Sequence, residues 1–308
     1  MFRRLAALVA ASLLVGACAA GGPASDEPPT PSASFPLTLV DDDGVRVTLD
    51  AVPTRIVTFA PSITEILFAL GIGDRIVGVS GPYDDHPSAA LDIPEVGGAG
   101  DFGVDPNLET VVGLEPDLFL TIAGGDAWKE RLRDLGVTVF TVDAVDLDDL
   151  LGDIETVGVL TGATDAAAAL VGSMRASADA IEVRVADLPR VRCFFEVYYP
   201  PLIAAGPGTF IDDLLRRVGC DSVTAGASSA YPEWSVEDLV AADPDVYLVS
   251  SESGADTTAL LARPGFDAVR SITAGRVGIV DSDLVTRAGP RVVEGLEFLF
   301  IVVQDLAG

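Results

Sequence analysis

Basic residues are scarce in this chain: 19 Lys and Arg stand against 47 Asp and Glu, a formal net charge of −28 over 308 residues. Such a surface repels phosphate backbones and anionic headgroups, which argues against any nucleic-acid partner. Solubility in a salty or alkaline exterior explains the imbalance more simply than a surface shaped for a cationic ligand. Histidine occurs once, at His86, which argues against a zinc or manganese centre built from several imidazoles. There is no G-x-S-x-G elbow, and any Ser or Cys triad would have to use His86, so a surface hydrolase is a weak alternative. Aromatic residues make up only 6% and cysteines number three. Beyond the N-terminus no apolar run is long enough to cross a bilayer.

The N-terminus carries the layout of an exported protein. Arg3 and Arg4 form a charged region, Leu5 to Val15 an apolar one, and Leu14-Val15-Gly16-Ala17-Cys18 closes it with small residues before a cysteine. That ending resembles a bacterial lipobox. The resemblance implies removal of residues 1–17 and acylation of Cys18, which would hang the mature chain from the outer face of a membrane. Residues 18–35, rich in Pro, Gly, Ser and Ala, have little to bury and read as a flexible tether. With Cys18 assigned, Cys193 and Cys220 remain as an even pair in an oxidising compartment, which permits one disulfide. Cys193 lies early in a predicted strand and Cys220 just past a helix running back along it, so the two could meet at the base of that lobe, or could remain two free thiols.

The remaining residues alternate apolar strands with short helices. Leu37 to Leu49 reads as a hairpin around Asp43-Gly44. Arg55 to Phe59 reads as a buried strand, Ser62 as a helix cap and Thr64 to Leu70 as a helix stopped by Gly71. Similar units follow to Phe140, a pattern that implies a parallel sheet covered on both faces. Between about Leu147 and Leu188 the strands stop. Asp148 to Leu160 is predicted helical, Gly162 breaks it, and Asp165 to Asp187 keeps helical periodicity for over twenty residues, longer than an α/β crossover needs. Alternation resumes at Val191. The expected organisation is an α/β lobe at 36–162, a connecting helix at 163–188 and a second α/β lobe at 189–308.

Several segments in order, Arg55 to Asp74, Val77-Gly78-Val79-Ser80, Asn107-Leu108-Glu109, Leu114 to Leu118, Pro264-Gly265-Phe266 and Arg287 to Arg291, resemble the substrate-binding proteins of ABC importers for iron complexes and vitamin B12. The resemblance implies two Rossmann-like lobes with parallel sheets, bridged by one long α-helix, with the ligand in the cleft between them. It also implies a monomer without catalytic activity or resident cofactor, whose ligand is a metal chelate: a ferric siderophore, haem or a cobalamin-type corrinoid. Its partners would be an ABC permease dimer and its ATPase. The same fold would also serve a ligand-sensing lipoprotein not coupled to transport. In this family a glutamate on each lobe meets arginines of the permease, and the matching positions are Glu109 and Glu237, each in the first turn of a predicted helix.

Ligands of open α/β sheets sit outside the carboxyl ends of the strands. Those ends carry Ser62, Tyr83, Phe102, Tyr198, Tyr199, Tyr231 and Arg287, the expected ligand contacts, together with Gly124-Gly125 and Ser250-Ser251. Arg287 suits a carboxylate or phosphate of the ligand, or a salt bridge on the acidic surface. Phe102, Tyr198, Tyr199 and Tyr231 suit lobe packing as well as ligand contact, whereas Trp128 and Trp234, on their helices, read more readily as packing residues. His86 fits an axial metal ligand less well than an exposed loop histidine. Gly98 to Gly103 matches a dinucleotide fingerprint by letter only, since no strand runs into it and no helix follows directly. Cobalamin binders of this family place tryptophans around the corrin, whereas the equivalent loops here hold Phe102, Ile122 and Leu284.

Overall fold

The computed structural model describes residues 34–98 and 105–308. The chain enters through an antiparallel hairpin of β1 (Leu37–Val40) and β2 (Arg46–Leu49). Gly44 turns it at φ +78°, which glycine alone adopts without strain, and the Asp41 carboxylate accepts the Val45 amide at 2.7 Å.

The first sheet holds β3 (Ile56–Phe59), β4 (Ile76–Gly78), β5 (Leu118–Thr121) and β6 (Val139–Thr141), all parallel, in the order β4-β3-β5-β6. Its strands are buried on both faces because α1 (Pro61–Ala69), α2 (Leu108–Gly113) and α3 (Asp126–Asp134) connect them. The predicted cap moves by two residues: α1 starts at Pro61, with Ala60 at the cap position and Ser62 inside the first turn. Proline suits a first helical position, where its missing N–H would lack a partner anyway.

The middle of the chain is wholly helical. Asp146 caps α4 (Leu147–Thr161) by accepting the Asp149 amide, and Gly162 ends it at φ +71°. Then α5 (Thr164–Val185) runs 22 residues, about 33 Å. It buries Ala167, Val171, Met174, Ala178 and Ile181, a narrow stripe of alternating four- and three-residue spacing that faces α4 and the C-terminal helix.

The second sheet contains β7 (Val191–Tyr198), β8 (Ile203–Ala204), β9 (Cys220–Ser222), β10 (Val246–Ser250) and β11 (Val277–Val280), ordered β11-β10-β7-β8 with β9 also on β7. The two-residue β8 is antiparallel to β7, a departure from the expected all-parallel pattern, while the other pairs are parallel. Around it lie α6 (Phe210–Arg217), α7 (Val236–Ala242), α8 (Thr257–Leu261), α9 (Arg270–Thr273), α10 (Ser282–Val285) and α11 (Val292–Ala307). Cys193 and Cys220 form a disulfide with Cα atoms 5.7 Å apart. It ties β7 to β9, where Val191 faces Cys220 and Cys193 faces Ser222.

One apolar core extends from Ile56 and Leu120 of the first sheet and Ile66 of α1, through Leu150, Met174 and Ile181, to Phe195 and Leu248 of the second sheet and Leu299 of α11. The two sheets therefore share their packing through α4, α5 and α11, with no linker between them. No helix among the described residues is long and apolar enough to cross a membrane.

Candidate functional site

Strand order in the first sheet places β4 and β5 on opposite sides of β3, so the connections leaving β3 and β5 diverge above the carboxyl ends of the strands. That divergence opens a crevice in α/β sheets. Here it holds a cavity of about 650 Å³, whose walls include Phe59 at the end of β3, Tyr83, Glu95 and Asp105 on loops, and Ile122 and Trp128 beyond β5. A second cavity of about 580 Å³ shares Pro61 and Tyr83 with it and is otherwise lined by Glu252 and Arg287 of the second lobe. The two together form the gap between the lobes.

Local sequence explains the shape of the walls. A Cβ at Gly97 would lie 2.0 Å from the Ser80 carbonyl oxygen, so only glycine lets the chain run that close beneath the loop after β4. Gly124 and Gly125, at φ +88° and +73°, turn the chain sharply from β5 into α3 and lay the Trp128 indole against the Gly125 backbone. That indole packs edge-on against Phe59 at 5.4 Å and Phe119 at 5.8 Å while still facing the cavity. Asp84 is buried and accepts hydrogen bonds from the Thr64 and Ser80 hydroxyls and from the Gly81 amide at 3.0 Å. Those bonds pin the turn that presents Tyr83, itself 69% exposed, over the gap.

A charged clasp closes one end of the gap. Glu65 of α1, only 4% exposed, accepts two bonds from the Arg291 guanidinium at 2.9 and 2.7 Å. This pairing outweighs burial and raises the Arg291 pKa above its ordinary value. Arg287 lies 3.5 Å from Glu65, 3.3 Å from Asp85 and 2.7 Å from Asp283.

The expected contacts separate on this geometry. Tyr83 and Arg287 line the gap, Arg287 already paired with carboxylates. Ser62 is buried one residue beyond Pro61 and lines neither cavity. Tyr199 turns into the second lobe, edge-on to Phe266 at 5.7 Å with the Arg263 guanidinium 3.9 Å over its ring, so it is a packing residue rather than a wall of the cavity. Arg263 is held there by a bidentate pair with the fully buried Glu196, which also accepts the Tyr247 hydroxyl. Tyr198 and Tyr231 are exposed and line neither cavity. Phe102 and Cys18 lie outside the described residues. His86 is an exposed loop residue that lines neither cavity. Trp234 packs on Phe194 at 5.4 Å, whereas Trp128 serves both packing and cavity. Sequence reasoning missed Phe59, Glu95 and Asp105; the signal for Phe59 was its place as the last residue of a buried strand.

Glu109 and Glu237 are exposed in the first turns of α2 and α7, behind Asn107 and Ser235 caps that accept the Thr110 and Asp238 amides at 3.1 and 3.0 Å. Among the described residues no three His, Cys, Asp or Glu side chains converge as a metal centre.

The sequence matches known proteins along most of its length. It is 33% identical over 307 residues to an uncharacterized ABC transporter substrate-binding lipoprotein, YvrC, of Bacillus subtilis, covering 96% of this chain and 94% of that one. It is 34% identical to a cobalamin-binding protein of Halobacterium salinarum, covering 94% and 82%. The fold is similar to that of the periplasmic haem-binding protein BhuT in complex with two haems, with a TM-score of 0.75 and 28% identity over 84% of this chain and all of that one. The profile of the family described as periplasmic binding protein spans residues 56–284, and the chain belongs to that family.

Proposed function

We propose that this protein captures a metal chelate outside the cytoplasm and delivers it to an ABC importer. The observation that carries the reading is the 650 Å³ cavity at the carboxyl ends of the first sheet, walled by Phe59, Tyr83 and Trp128 and opening on the second lobe. A cavity of that size and aromatic content suits a large planar or aryl-bearing ligand. Its relatives support the class: one is named cobalamin-binding, and a structural neighbour holds haem. Cys18, acylated after removal of residues 1–17, would tether the protein to the membrane, and Glu109 and Glu237 would meet the permease, one from each lobe. The protein would act by binding alone, without catalysis.

The test is a titration of the mature protein with cyanocobalamin, haemin and ferric siderophores, followed by intrinsic fluorescence. Saturable binding of at least one chelate supports capture, and uptake through a co-purifying permease and ATPase supports delivery. Binding without any such partner would favour the sensing role, and no binding would remove the proposal.

A further inference from the structure

The charges on the walls bear on which chelates the cleft accepts. The charged residues lining the main cavity are Glu95 and Asp105, and those lining the adjoining one are Glu252 and Arg287. Arg287 already faces three carboxylates, Glu65, Asp85 and Asp283. Lys129, the chain's single lysine, follows Trp128 but is fully buried, with its Nζ on Asp43 at 2.7 Å and on the Thr141 hydroxyl at 3.1 Å. Among the described residues lining the gap, no cation is free to neutralise an anionic ligand.

One feature opposes this sign. The N-terminal end of α1 at Pro61 directs the positive end of a helix dipole toward both cavities. Proline, however, offers no N–H there, and Glu65 lies one turn in. The walls thus keep a net negative character, deepened by the −28 charge of the whole chain. Propionates or catecholate oxygens placed against the exposed Glu95 and Glu252 and the half-buried Asp105 would meet like charge.

We infer that, given chelate capture as proposed above, the cleft selects neutral or cationic chelates and discriminates against anionic ones. Equilibrium dialysis of the mature protein would compare cyanocobalamin, which is neutral, and ferrioxamine B, a cation, with the anions haemin and ferric enterobactin. At least one of the first pair should bind about tenfold or more tightly than either anion, the scale of one extra like charge at about 8 Å in a half-solvated cleft. The Glu95→Gln, Asp105→Asn double variant should narrow that gap, and added salt should narrow it in the unaltered protein. Should the variant misfold, the salt series alone decides. An anion bound as tightly as the others, or a gap unmoved by salt, overturns the charge inference while leaving capture standing. A protein that binds none of the four overturns capture and the charge inference together.

Discussion

Asp153 on α4 is surrounded by carboxylates. Burial, reinforced by Asp42, Asp149 and Asp143, raises its pKa to about 8 from an ordinary 3.8. The folded protein therefore holds a proton there that the unfolded chain releases. Stability from this group is fully present below about pH 4 and is lost as pH rises toward about 8. Asp43 acts in another window. Burial raises its pKa, but hydrogen bonds from Lys129 and Thr141 win and leave it lowered, so its contribution disappears only as pH falls below about 4. Asp153→Asn should raise the melting temperature at pH 8, by an amount corresponding to roughly 1–2 kcal/mol after solvent screening, and flatten the slope between pH 4 and 8. Thermal melts across that range would show it, and an unchanged slope would refute the assignment. At this scale the sequence was a partial guide. Tyr83 and the Gly124-Gly125 turn were legible because positions after strand ends face the crevice. For Arg287 a salt bridge was one of the two readings, but its partners were not legible, because Asp85 and Glu65 lie 202 and 222 residues away along the chain. Strand-end position left Tyr199 open between contact and packing, because it does not say which way a side chain turns once Arg263 and Phe266 compete for its ring.

Among the elements, α4 and α5 were the easiest to read and carry the most structure. Gly162 at positive φ marks their junction, and the uninterrupted periodicity after it extends over Thr164–Val185. Their close approach could not be read from periodicity. A Cβ on Gly158 would sit 2.3 Å from the Ala167 Cβ, so Gly158→Ala forces the helices apart and should destabilise the fold by about 1–3 kcal/mol in urea titration, despite alanine's higher helix propensity. A stabilised variant would contradict that packing. The short β8 and β9 escaped notice because two or three residues carry no period, and their strand character comes from β7 beside them. On α2 and α7, Glu109 and Glu237 occupy matching first-turn positions on the two lobes. The double change Glu109→Ala, Glu237→Ala should leave chelate affinity intact and weaken uptake in a reconstituted importer, since exposed charges of this kind steer encounter and fix register. Unchanged uptake, or affinity falling as steeply as uptake, would remove them from that role.

For the whole molecule, the shared core and the Glu65–Arg291 clasp both resist movement of one lobe against the other. Neither a hinge of strands nor a flexible linker lies between the sheets, because α5 spans the junction as one continuous helix. Small-angle scattering profiles with and without ligand should therefore nearly superimpose. A large change in radius of gyration on binding would show that the clasp opens and the helix bends. The alternation of strands and helices was legible at this scale, and so was the cleft as its consequence. The division of labour between the lobes was not, because the described aromatic wall of Phe59, Tyr83 and Trp128 belongs to the first lobe alone.

The two tryptophans test that placement directly. Trp128 faces the cavity, whereas Trp234 packs on Phe194 in the second lobe and lines neither cavity. Fluorescence titration of the Trp128→Phe and Trp234→Phe variants with a chelate that the unaltered protein binds should separate them. The response should vanish in Trp128→Phe and persist with unchanged affinity in Trp234→Phe. A response that survives loss of Trp128 and disappears with Trp234 would place the ligand elsewhere and contradict the account.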